Sequence, residues 1–239
     1  MQATKKKEGR SMKDVKELRE ELLFGTSLLF QDLRDPWGHI AVRLPESDGR
    51  KGFMLKHVRV PPPPGDHEEI MTFDYEGNLL EGKRILPWEL PIYTAIFKIR
   101  PDVDSVIHTH PKAATALSMA GKTVFAITHQ SAQYGHGIPI FPGDMINSGV
   151  LGQGLAETLG SHCAALLKGH GAVAVGKSVG DAVQNTLYLE QAAQQQIWAA
   201  TLGTPELLED RLIDFHKNRP LGDGGLALWY TEMHYAKNK

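Results

Sequence analysis

The run AALLKGHGAVAVG, residues 164–176, constrains the fold more than any other stretch of the chain. Two short apolar runs flank the turn Lys168-Gly169-His170-Gly171, so the segment reads as a strand–turn–strand hairpin. A hairpin is antiparallel, and it draws its neighbours into a mixed or mostly antiparallel sheet. Residues 177–203 follow as one long amphipathic helix. Ser178 and Asp181 stand at the spacing of a capping box at its start, with Asp in place of Glu.

The rest of the chain alternates in the same way. HIAVRLP (39–45) and KGFMLKHVRV (51–60) read as strands around the turn ESDGRKG, and Glu76-Gly77-Asn78 marks another turn between strands. WELPIYTAIFKIR (88–100) has apolar residues at helical spacing and stops before Pro101. DSVIHTH (104–110) is a buried strand, and 111–121 is a helix with Pro111 in its first turn and Gly121 beyond its end. TVFAITH (123–129) is expected as a strand and 148–160 as a helix. The four prolines 61–64 suit neither a helix nor a central strand, and read as a stiff extended connection or a proline-rich ligand. The expected fold is a three-layer α/β/α single domain with a central, mostly antiparallel sheet over 16–239, after a polar tail at 1–15.

Composition removes several function classes. With 239 residues, 41% of them apolar, the chain can bury a sizeable core in one domain. A formal charge of −2 gives no basic excess for a nucleic-acid partner. The single cysteine, Cys163, excludes an internal disulfide framework and suits the reducing cytoplasm. No apolar run reaches the roughly 20 residues that span a bilayer, and the charged start lacks a signal-peptide apolar core, so no membrane partner is expected.

Two motifs carry the chemistry. In VIHTHP, His108 and His110 are two apart, which on a strand puts both rings on one face at its end. His170, between two glycines, projects from a tight turn. Three imidazoles that leave coordination positions open form the donor set of a catalytic metal site. Glu89 opens the helix ahead of the His108 strand and offers a carboxylate as metal ligand, acid/base, or both. Gly171 to Ser178 also fits the P-loop pattern letter for letter, but its middle residues, Ala-Val-Ala-Val, are strand material. The glycines around Gly152 and Gly154 lack the third glycine of a dinucleotide fingerprint, and Cys163 sits in apolar surroundings that suit a core residue.

The segments LPWELPIYTAIFKIRPDVDSVIHTHP and ALLKGHGAVAVGKSVGDAVQNTLYLE resemble the class II aldolase/adducin family in content, order and separation, and the likeness runs from about Leu22 to Ala200. The resemblance implies a three-layer α/β/α fold and a homotetramer with sites at subunit interfaces. It also implies one divalent metal ion (Zn, Mn, Fe or Co) on His108, His110 and His170, with Glu89 as acid/base. Adducins share the fold without the metal histidines, so an enzyme is expected here rather than an adducin-like interaction module.

The departures narrow the substrate. Sugar-phosphate members bind phosphate through three hydroxyl-rich segments. Here these read Arg34-Asp35-Pro36-Trp37-Gly38-His39-Ile40-Ala41, then HVRVPPPP, then Pro87-Trp88. Gly38-His39 in place of Gly-Asn looks like the decarboxylase branch, and His129 falls where aldolases carry a tyrosine acid. Trp37 and Trp88 are candidate walls for an aromatic substrate, and His39 and Arg43 candidate partners for its carboxylate. The aromatic tail with Trp229, Tyr230, His234 and Tyr235 suggests a C-terminus that reaches a neighbouring subunit's site. The expected activity is a metal-dependent carbon–carbon lyase acting on a small carboxylic acid. Decarboxylation of a hydroxy-aromatic acid is foremost, with aldol cleavage or epimerisation as the alternative.

Overall fold

The computed structural model describes residues 14–57, 70–82, 87–143 and 145–218. The polar tail up to 13, the prolines 61–64 and the aromatic tail with Tyr235 lie outside them. Among the described residues are strands β1 (His39–Arg43), β2 (Gly52–His57), β3 (Met71–Asp74), β4 (Leu79–Glu81), β5 (Ser105–Thr109), β6 (Ile140–Phe141), β7 (Ala164–Leu167) and β8 (Gly171–Gly176). They form one sheet in the order β4-β3-β2-β1-β5-β8-β7-β6, antiparallel at every junction except the parallel β6–β7 pair. The α-helices among the described residues are α1 (Val15–Leu33), α2 (Leu90–Ile99), α3 (Lys112–Met119), α4 (Gly149–Leu159), α5 (Val179–Leu202) and α6 (Asp210–Asn218).

Strand alternation builds the layers. Ala41, Phe53, Leu55, Val106, Ala165, Leu167, Val173 and Val175 face one side and pack with Ile92, Tyr93, Ile96, Leu155 and Leu159 of α2 and α4. Their neighbours Ile40, Val42, Met54 and Ile107 face the other side, under α1 and the start of α5. Further along the sheet, Ala164, Leu166, Ala172 and Ala174 pack under α3 and α5. Burial on both faces explains why β7 and β8 read as continuous apolar runs. The hairpin expected at 164–176 is present as β7–β8. Ser178 caps α5 by accepting from the Asp181 N–H at 3.1 Å. The P-loop letters at 171–176 lie within β8, buried along their whole length. No described helix is long and apolar enough to cross a membrane.

The strand expected at 123–129 is not formed. Val124 and Ala126 are buried, but this stretch accepts and donates singly, Ala126 to Gly135 and Ile138 to Val124, and Val124 packs in the layer under α3 and α5. His129 instead opens a 3-10 turn, His129–Tyr134. The period-two pattern at 123–129 reported one-sided burial, which a packed extended loop shares with a strand.

Candidate metal centre

Pairing register brings three histidines into a row. His39 of β1 stands opposite His57 of β2 on one side and His108 of β5 on the other. All three share the parity of Ala41, Leu55 and Val106, so they lie on the sheet face covered by α2 and α4. The ring centroids are 4.4 Å apart for His39–His57 and 6.4 Å for His39–His108. Glu89 occupies the N-cap position of α2, whose first turn contains Pro91, and its carboxylate reaches back to the row. His110 lies just past the end of β5, and His170 in the β7–β8 turn. Gly169 supplies the positive φ of +72° for that turn, and its N–H donates to Ser118 Oγ at 3.0 Å, fixing the turn to α3.

Glu89, His108, His110 and His170 each offer a donor atom within 4.8 Å of the others. His108 Nε2 lies 3.0 Å from Glu89 Oε2, His170 Nδ1 lies 3.7 Å from Glu89 Oε1, and the His110 and His170 Nε2 atoms are 3.2 Å apart. Two nitrogen ligands at zinc-like bond lengths in a tetrahedron stand roughly 3.3 Å apart. Tautomers support the same reading. His108 Nδ1 donates to Ala172 O at 3.0 Å, which turns the Nε2 lone pair toward the Glu89 carboxylate. A lone pair so placed repels the carboxylate, and either a proton on Nε2 or a metal ion between the two groups turns the contact favourable. The four residues therefore fit a divalent metal ion.

Asp35 completes the support. Its carboxylate accepts His110 Nδ1–H at 3.0 and 3.2 Å, the His110 backbone N–H at 2.8 Å and the Trp37 N–H at 2.9 Å. This carboxylate–histidine pair orients His110 with Nε2 directed inward, as metal-ligating imidazoles are commonly held. The close approach depends on Gly38, where a Cβ would meet His108 O and Thr109 Cγ2 at 2.9 Å and Asp35 Oδ2 at 3.1 Å.

The electrostatics follow from these contacts. Burial works to raise the Glu89 carboxyl. The hydrogen bond and charge of His108, the Ile146 N–H at 3.1 Å and the charge of His170 outweigh it and hold the group at about 2. Asp35 is also held at about 2, burial being outweighed chiefly by His110. His39 is pushed well below the ordinary imidazole value, first by burial and then by the neighbouring His57 and His108. Burial raises the Cys163 thiol to about 11, which fits a core residue.

The structure thus gathers Glu89, His39, His108, His110 and His170 at one point. Trp37 and Trp88 adjoin the site in sequence and are 70% and 78% exposed. Arg43 requires correction. It lies at the opposite end of β1 from His39, where its guanidinium donates to the carbonyls of Phe97, Arg100 and Val103 and to Tyr75 Oη. These bonds, with Asp104 Oδ1 3.6 Å from Nε, tie β1 to the end of α2, so Arg43 is a structural clamp far from the histidine cluster rather than a partner for a substrate carboxylate. His129 is exposed, and its ring lies 5.6 Å from that of His216 on α6 rather than in the histidine cluster. Three residues of the site were missed by sequence reasoning: Asp35, His57 and Tyr93. Tyr93 carried a signal, since it follows Glu89 by four residues and so shares its helix face. His57 and Asp35 reach the site through strand register and loop path, which no local pattern encodes.

The chain is similar to known proteins in sequence and in fold. A 3,4-dihydroxyphthalate decarboxylase of Arthrobacter keyseri is 28% identical over 182 residues, 70% of this chain and 71% of that protein. An L-fuculose phosphate aldolase of Methanococcus maripaludis is 31% identical over 141 residues, 58% of this chain and 74% of that protein. The solved L-fuculose 1-phosphate aldolase from Glaciozyma antarctica PI12 superposes with a TM-score of 0.77 at 21% identity, covering 93% of this chain and 90% of that one. That likeness shows a shared fold. Residues 34–197, which hold every group of the metal centre, match the family described as Class II Aldolase and Adducin N-terminal domain, and the chain belongs to that family.

Proposed function

We propose that the protein is a metal-dependent carbon–carbon lyase that decarboxylates a small hydroxy-aromatic acid without oxidation. The observation that carries the reading is His39, buried beside the Glu89–His108–His110–His170 cluster, in a chain whose counterparts of the phosphate segments, residues 34–41, 57–64 and 87–88, hold no serine or threonine. The dihydroxyphthalate decarboxylase relative supports it. His108, His110 and His170 would hold the metal with Glu89 beside it, and a bound divalent ion would stabilise negative charge developing on the substrate oxygens. Glu89, ionised as it sits, takes the proton of the substrate hydroxyl. The bond to the carboxylate carbon then breaks, CO2 leaves, and the electron pair remains on the ring. Glu89 returns its proton to that carbon, and the product oxygen is reprotonated from water. Trp37 and Trp88 wall the ring, and Tyr235 and His129 serve the site of a neighbouring copy in a homotetramer. For His129, the exposed position away from its own chain's cluster favours that role.

The test supplies the protein with zinc, manganese, iron or cobalt and offers hydroxybenzoate and phthalate-type acids beside sugar phosphates. The expected result is CO2 from an acid, abolished by chelator and restored by metal. Efficient release of dihydroxyacetone phosphate from a sugar phosphate, with no CO2 from any acid, overturns the reading in favour of aldol cleavage.

A further inference from the structure

Two of the metal-site histidines sit on separate loops, and one short helix joins those loops from behind. α3 begins two residues after His110, across Pro111, and its last turn reaches the turn 168–171 that carries His170. Ser118 in that last turn is fully buried. Its Oγ accepts the Gly169 N–H at 3.0 Å and donates to the Thr115 carbonyl at 2.7 Å. Pro111 at the N-cap offers no side-chain acceptor, so the first N–H groups of α3 need one from elsewhere. Glu190 on α5, only 8% exposed, supplies it. The Ala113 N–H donates to both carboxylate oxygens, at 3.0 and 2.9 Å, and the Ala114 N–H donates to Oε2 at 3.1 Å. Gln194, one turn further along α5, donates to Glu190 Oε1 at 3.0 Å and holds the carboxylate in place. A carboxylate so placed also meets the positive end of the α3 dipole.

We propose that Glu190 and Ser118 are positioning residues for the metal centre: Glu190 anchors α3 to α5, and α3 is a strut that fixes His110 at one end and the His170 turn at the other. The inference rests on the metal-centre reading and adds two residues that touch neither metal nor substrate. The link at the His110 end is stiff, because the proline ring holds φ at −67° between His110 and the capped turn. Asp35 sets the rotation of the His110 ring, whereas Glu190 sets the path of the backbone that leaves it. At the other end, the Ser118 bond orders the His170 turn before a metal arrives. Holding both ligands in the metal-free fold removes an ordering cost that metal binding would otherwise carry. Metal–ligand distances tolerate only about 0.2 Å, and the His110 and His170 Nε2 atoms stand 3.2 Å apart. A small tilt of α3 is therefore enough to spoil the pair.

The probe is Co2+, titrated into the metal-free protein and read by chelator competition and by the visible absorption of the bound ion, which reports ligand geometry. Glu190→Ala should weaken Co2+ binding about tenfold, the lower end of the effect of losing a group behind the ligands. Ser118→Ala should weaken it about fivefold, the worth of one hydrogen bond. Both should alter the visible band. Because the two act through one helix, the double variant should lose clearly less than the roughly fiftyfold product. Glu190→Gln keeps an oxygen for the Ala113 and Ala114 N–H groups and should recover most of the affinity. The comparison is Asp14→Ala, which removes the cap that accepts the Glu17 N–H on α1; it should lower unfolding stability and leave Co2+ affinity and spectrum unchanged. If Glu190→Ala does not fold, Glu190→Asp, which keeps the charge and shortens the reach, takes its place. Metal-free stability that falls in the Glu190 and Ser118 variants, with Co2+ affinity and spectrum unchanged, overturns the strut and leaves α3 a purely structural helix. The full fiftyfold product in the double variant overturns the shared action through α3. A wild-type protein that binds no Co2+ overturns the metal-centre reading, and the strut with it.

Discussion

Replacing Asp35 by Asn tests whether the histidine cluster is a metal centre held from outside its ligands. Four hydrogen bonds converge on the Asp35 carboxylate, from the Trp37 N–H, the His110 N–H and His110 Nδ1 shared between both oxygens. Asn keeps the shape but offers one oxygen and one N–H2, so at least one donor meets a donor. The lost contact is charge-assisted, and such bonds contribute about 1.5–3 kcal/mol. Part of that loss appears in the metal-free fold through the backbone donors. The part that acts through His110 should lower metal affinity about 10- to 100-fold, the range seen when the carboxylate behind a metal-bound imidazole is removed. The assay is competition with a coloured chelator, alongside thermal unfolding of the metal-free protein to separate the two parts. Metal affinity within about twofold of wild type in Asp35→Asn would refute the idea that this carboxylate orients a ligand, because among the described residues Asp35 is the hydrogen-bond partner of His110 Nδ1.

Further outcomes are expected. Glu89→Gln keeps the shape of the side chain and removes the base, so turnover should fall about 100- to 10,000-fold with metal largely retained; undiminished turnover would dismiss the role. Gly38→Ala drives a Cβ against the fixed carbonyl of His108, so unfolding free energy should drop by about 1–3 kcal/mol and metal binding should weaken, both measurable by urea titration with and without metal. The Asp35 and Glu89 carboxyls sit near 2 in the metal-free fold, below their ordinary values, so the unfolded chain binds more protons between about pH 5 and 2. Their stabilisation is therefore complete above that window and lost as pH falls through it, and the Asp35→Asn metal-free protein should show a shallower loss; an identical slope would contradict the assignment. Cys163, raised to about 11, should react with iodoacetamide at pH 8 far more slowly in the folded protein than in urea.

Much of this was legible in the sequence because it is local. The hairpin at 164–176, the helix cap at Ser178 and the Pro-bounded helices depend on neighbours within a few residues, where turn chemistry and side-chain period decide the outcome. His108 and His110 were legible for the same reason, being two positions apart at the end of one strand. The residues that only tertiary structure brought in are joined to the site across the sheet or through a loop. His57 enters because β2 pairs with β1 in a register that sets it opposite His39, and a shift of one residue would have turned it to the other face. Asp35 enters because the turn after α1 folds back onto the end of β5, 75 residues away. The expectation for Arg43 failed from the opposite cause. The sequence showed a cation four residues from His39, and only the fold showed that the same strand carries it away to the backbone carbonyls at the end of α2. Local pattern determined which residue types could do the chemistry; long-range pairing decided which of them meet, because the distance between strands is fixed by hydrogen-bond register and not by separation along the chain.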